Sequence, residues 1–173
     1  MVRLRFFMLF LVPGVAVRGA LDSAGEDLED WTHFFNSPAG GSIPYPGCRN
    51  YAAQILGGGH PNLDELKVWA AFLRSHAGGS MEAIDARNTA WRTLMQAHPA
   101  LDDVKKWAEF FRSAPGGSMM PIEAKKEAFR VLKGSKPPNL EDVKGLAAFY
   151  CSREGGSMSS IDAKKAALRQ VGV

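Results

Sequence analysis

The tripeptide Gly-Gly-Ser occurs at residues 40–42, 78–80, 116–118 and 155–157, at intervals of 38, 38 and 39 residues. A fixed period of that size makes a chain of 173 residues a tandem array, and this constrains its fold more than its composition does. The flanks keep the same phase. Trp31, Trp69, Trp107 and Leu146 share one position, and Phe34, Phe72, Phe110 and Phe149 another. Past the glycines, Arg49, Arg87, Lys125 and Lys164 align, as do Ala52, Ala90, Ala128 and Ala167. Residues 101–132 and 140–171 are identical at 17 of 32 positions without a gap.

Each copy carries the pattern of two helices. Leu66, Trp69, Ala70 and Leu73 fall at i, i+3, i+4 and i+7, one face of a 3.6-residue period. Phe72 widens that stripe, as expected for a helix packed both on its own partner and on an adjacent repeat. Asn62 with Glu65, and Asn139 with Asp142, have capping-box spacing, and Pro61, Pro99 and Pro138 lie just ahead of the first-helix starts. Gly78-Gly79 and its equivalents are expected to end the first helix. Pro121 suits the first turn of the second helix, and Ser159 with Asp162 has capping-box spacing. Ile84, Trp91 and Leu94 (Ile122, Phe129 and Leu132 in the next copy) are expected to supply its apolar face, with Ala86 and Ala90 allowing close approach. In the first copy, Pro44, Pro46 and Gly47 predict a short or late second helix.

The predicted fold is all-α: four tandem helix-turn-helix repeats of about 38 residues, forming a short right-handed α-solenoid or a compact bundle. The copies run at about 24–61, 62–99, 100–138 and 139–173. This format resembles tetratricopeptide-like hairpin repeats, which carry a Trp in the first helix, alanines in the second and a loop proline. It also resembles the secreted helical effectors of oomycete pathogens, in which a leader precedes Trp- and Phe-bearing helical units. That second resemblance implies an effector acting on host proteins.

The leader is legible in residues 1–19. Arg3 and Arg5 form a basic start, Phe6 to Val17 is a short apolar run, and Val17 and Gly19 supply small residues for cleavage near Gly19. The run is too short to span a bilayer, and its unbroken apolar block favours secretion over a mitochondrial presequence. Residues 20–173 are therefore expected to be an extracellular repeat domain without a membrane span. The chain's formal charge of +3 resides in Arg3, Arg5 and Arg18, so the mature chain is neutral and gives no electrostatic reason to bind nucleic acid.

Catalytic chemistry has no candidate in the sequence. His33, His60, His76 and His98 lack metal-ligand spacing, and neither HExxH nor paired cysteines occur, so no metal or cofactor is expected. His60 and His98 recur in His-Pro-x-Leu-Asp and read as loop residues before a helix cap. Cys48 and Cys151 stand in the first and last copies, too far apart along a stack to pair. Neither sits in a Cys–His–Asn or Gly-x-Ser-x-Gly setting. The Gly-Gly-Ser turns, with Arg74 and Arg112 nearby, have the makings of an anion site but read better as helix ends.

One candidate binding surface remains. Arg92, Lys126, Arg130, Lys165 and Arg169 recur on the second helices, and the i,i+4 pairs would stack into a basic stripe. Glu123 and Asp162, three residues ahead of Lys126 and Lys165, would pair with them on a merely solvated face. Charge is also divided along the chain: residues 20–61 hold five acids and one base, residues 62–173 hold 17 bases and 13 acids. The expected function is non-catalytic binding of another macromolecule, a protein, along the repeat surface. The alternative is an enzyme or small-ligand carrier with a closed pocket between hairpins.

Overall fold

The computed structural model describes residues 27–134 and 136–173; the leader expected at residues 1–19 lies outside them. Among the described residues there are eight helices and no strands. The first, α1, covers residues 27–36. It is followed by α2 (Gly47–Leu56), α3 (Leu63–Arg74), α4 (Ala83–Leu94), α5 (Leu101–Arg112), α6 (Pro121–Leu132), α7 (Leu140–Cys151) and α8 (Ser160–Gln170). α3 packs on α4, α5 on α6, and α7 on α8, while Phe35 of α1 meets Tyr51 of α2 with ring centroids 4.7 Å apart. The chain is thus an all-α array of four hairpins. Among the described residues, no side-chain hydrogen bond or aromatic pair joins copies that are not neighbours.

The helix starts follow the predicted chemistry. The Asn62 side chain accepts from the Glu65 amide at 3.0 Å, Asn139 from Glu141 and Asp142, and Ser159 from Asp162. Pro121 opens α6, and α2 begins two residues later than the alignment with α4 would place it. Gly47 starts that helix because Pro44 and Pro46 occupy the preceding turn.

The helix ends differ from expectation. α3 stops at Arg74 with Ser75 as its cap, ahead of the glycines. Ser75 Oγ donates to the Phe72 carbonyl at 2.6 Å and accepts from the Gly78 amide at 3.2 Å. Ser37, Ser113 and Ser152 repeat the arrangement. A short hydroxyl satisfies both a last-turn carbonyl and the returning chain, so the helix ends there. The glycines then serve the turn. A Cβ on Gly78 would collide with the Phe72 carbonyl, and Gly79 sits at φ +102°, where only glycine is unstrained.

The core is one continuous row of aromatic and small residues. Trp69 and Trp107 are buried, as their place in the repeat predicts, and so are Trp31, Phe34, Phe72 and Phe110. On the second helices Trp91, Leu94, Phe129 and Leu132 pack against the core as predicted, but the isoleucines do not. Ile84, Ile122 and Ile161 are half-exposed, while Ala86 and Ala90, Ala124 and Ala128, and Ala163 and Ala167 are fully enclosed. Alanines let the paired helices approach closely, and the isoleucines are turned toward the preceding copy's turn, where Ile122 meets Gly79.

Candidate functional site

The junction between copies is built from residues on three elements. A first-helix Trp packs on an aromatic of the next copy's second helix: Trp31 on Trp91 at 5.7 Å between centroids, and Trp69 on Phe129 at 5.8 Å. Leu168 occupies the equivalent position in the fourth copy and is buried. His60 and His98 stand edge-on to Trp31 and Trp69, with Nδ1 3.1 Å from the Pro61 and Pro99 carbonyls. These histidines pack the loop against the indole.

The second part of the junction is a buried base. Arg87 Nη1 donates to the Gly40 carbonyl at 2.6 Å, and Lys125 Nζ to the Gly78 carbonyl at 2.8 Å. Each reaches from a second helix into the preceding turn. Lys164, equally enclosed, reaches Met119 Sδ at 3.4 Å and stands 5.5 Å from the Phe111 ring centre. Burial holds the Lys125 ammonium below its ordinary pKa, and the neighbouring Lys126 charge lowers it further. These bases were visible as an aligned column but without a role, because the partner of Arg87 and of Lys125 is a backbone oxygen 47 residues away.

The second turn does not present its amides to an anion. The Gly79, Ser80 and Met81 amides donate to the His76, Ser75 and Leu73 carbonyls, so none is free for an anion. In the first two copies the outward group of the turn is a carbonyl, and it accepts from a cation.

The row of first helices forms the outer surface of interest. Between α3 and α5 lies an open groove of about 630 Å³, and between α5 and α7 one of about 490 Å³. They are the same groove one copy apart. Val68, Ala71, Phe72 and Ser75 wall the first on the α3 side, and Lys106, Glu109, Phe110 and Ser113 occupy the same positions in the second. Lys105 and Lys144 then correspond on the far wall. Phe72 and Phe110 give each groove an apolar floor. Arg112 joins the rim of the first, and Glu109 lines both. The sequence signal for the grooves was the i, i+3, i+4, i+7 stripe adjoining the core stripe.

All five residues of the basic stripe are exposed. Arg130 is engaged by Glu127 through two bonds of 3.0 Å, which hold the Glu127 carboxyl below its ordinary pKa. Arg92 lies along its own helix toward the Asn88 carbonyl and Thr89. Lys126, Lys165 and Arg169 make no ion pair among the described residues; Asp162 instead accepts from Ser159 at 2.7 Å. All five are thus open to solvent, and Arg130 is neutralised by Glu127. Cys48 is buried, Cys151 half-buried, and both are free thiols. Among the described residues no group of His, Cys, Asp and Glu is placed to hold a metal ion, and no helix is long and apolar enough to cross a membrane.

In comparisons with protein-family models, curated proteins and solved structures, nothing matches the chain.

Proposed function

We propose that this is a secreted, non-catalytic helical-repeat protein that binds another protein along the grooves between successive first helices. One observation carries the reading: the same positions of neighbouring first helices line an open groove twice, at the repeat spacing. A repeated apolar floor with charged rims suits an extended or helical segment lying across several copies, and stacked repeats characteristically bind that way. The grooves are open surfaces with charged groups on their rims, a form that suits a macromolecular segment better than a small ligand. The shifted groups, Lys125, Glu127 and Arg130, are each accounted for by a packing or ion-pair contact within the array.

The test is affinity capture from extracellular fluid with three forms of the purified chain: unaltered, Val68→Asp with Arg112→Glu, and Arg130→Glu with Arg169→Glu. The proposal expects one protein retained by the unaltered chain and by the stripe variant, and bound at least tenfold more weakly by the groove variant. Capture lost only by the stripe variant would move the site to the second helices. Equal capture by all three overturns both surfaces.

A further inference from the structure

All three internal junctions bring a second-helix isoleucine to the preceding turn's second glycine and two of them add a base on the turn carbonyl, and the fourth and first copies each display half of that arrangement. At the fourth copy, Phe149 is 50% exposed, whereas Phe34, Phe72 and Phe110 are 4%, 6% and 5% exposed. No isoleucine from a following copy approaches Gly156, although Ile84, Ile122 and Ile161 approach Gly41, Gly79 and Gly117. The Gly155 carbonyl has no base comparable to Arg87 or Lys125, and Met158 is exposed. At the first copy, the aligned base Arg49 is exposed and enters no turn among the described residues. Pro46 and Ala53, at the positions of Ile84 and Trp91, are exposed beside it.

The two faces also differ in charge. Residues 20–61 carry five acids against one base, whereas residues 139–173 carry five bases against four acids. The first copy is thus net acidic and the fourth close to neutral.

We propose that the chain associates head to tail with a second copy of itself, the open fourth-copy face (Phe149, Gly155, Met158) receiving the first-copy face (Pro46, Arg49, Ala53) of the next molecule. Arg49 then enters the fourth turn as Arg87 enters the first, and α1 of the incoming chain covers Phe149 as α5 covers Phe72. Continuity with the internal junctions identifies the occupant, since the covering element is already part of this chain. The contact is smaller than the internal ones, because Leu146 and Ala53 stand where Trp69 and Phe129 meet. Such a heterologous contact generates open chains or a ring.

Sedimentation velocity over a wide concentration range tests it, with Phe149→Asp and Arg49→Glu as tail and head variants. Both sites are solvent-exposed, so circular dichroism of each variant should match the unaltered chain. The unaltered chain is expected to gain mass with concentration, and each variant alone to associate at least tenfold more weakly. An equimolar mixture of the two should recover association and stop at pairs, since one intact head and one intact tail remain. The groove variant Val68→Asp with Arg112→Glu should associate normally, which separates this proposal from the binding reading above. A chain monomeric up to about millimolar concentration overturns the proposal. So does association lost in the Phe149 variant and unchanged in the Arg49 variant, which would mark a two-fold contact between like ends.

Discussion

The third and fourth copies share 17 of 32 aligned residues yet live in different surroundings. Phe110 and Trp107 are buried, while Phe149 is half-exposed and the Trp position has become Leu146. The hairpins themselves are alike: the same serine cap, the same glycine at positive φ, and the same close approach of the turn to a phenylalanine carbonyl. What differs is the neighbour. A copy folds its own turn from local chemistry, but the burial of its aromatics is supplied by the next copy along the chain.

Three pairs of substitutions and one ion pair probe the difference between an inner copy and an end copy. The largest effect should come from Trp107→Ala, which empties a buried site between copies and should cost about 3–5 kcal/mol. Leu146→Ala, at the half-covered equivalent, should cost about 1–2 kcal/mol, both read from chemical denaturation. Next are the second glycines. Gly79→Ala forces a strained φ and drives a Cβ to 2.8 Å from Ile122 Cγ1, whereas Gly156→Ala meets only the strain. We expect about 2–3 kcal/mol for the first and about 1 kcal/mol for the second, in the same experiment.

The bases come third. Lys125→Met leaves the Gly78 carbonyl without its donor at the junction and should cost about 1–3 kcal/mol. Arg49→Met, at the open end, should shift stability by less than about 0.5 kcal/mol in dilute solution. Smallest is the Glu127–Arg130 pair, which has no counterpart in the fourth copy because Ala166 replaces the acid. The folded-state pKa of Glu127 lies below its unfolded value of about 4.5, so the pair's contribution is complete above that pH and is lost as pH falls through the folded value. Melting temperatures of the unaltered chain and Arg130→Met should differ slightly at neutral pH and converge in acid.

The same comparison explains what the sequence disclosed. Period, hairpin format and the aromatic column were legible because glycine, tryptophan and phenylalanine recur in phase. The serine cap was equally visible, three residues before each Gly-Gly, but glycine's reputation as a helix terminator drew the boundary too late. The second helices misled in a more physical way. A hydrophobic pattern assigns Ile84 and Ile122 to the core, yet close packing on Ala86 and Ala90 turns the isoleucines toward the adjoining copy. The buried bases were hidden for a related reason. A lysine among alanines looks like a surface residue until the carbonyl it serves is brought to it by the stack. The grooves were the least legible feature, since each is made by two copies and belongs to neither.

At the first two junctions neighbouring copies are coupled through the aromatic contact between a first helix and the next second helix. A double-mutant cycle on Trp69→Leu and Phe129→Leu, measured by chemical denaturation, tests it most directly. The two rings lie 5.8 Å apart across the junction of the second and third copies. The account predicts a coupling energy of about 0.5–1.5 kcal/mol, the range for aromatic pairs. Effects that simply add, within about 0.3 kcal/mol, would contradict it and leave the copies as independent hairpins.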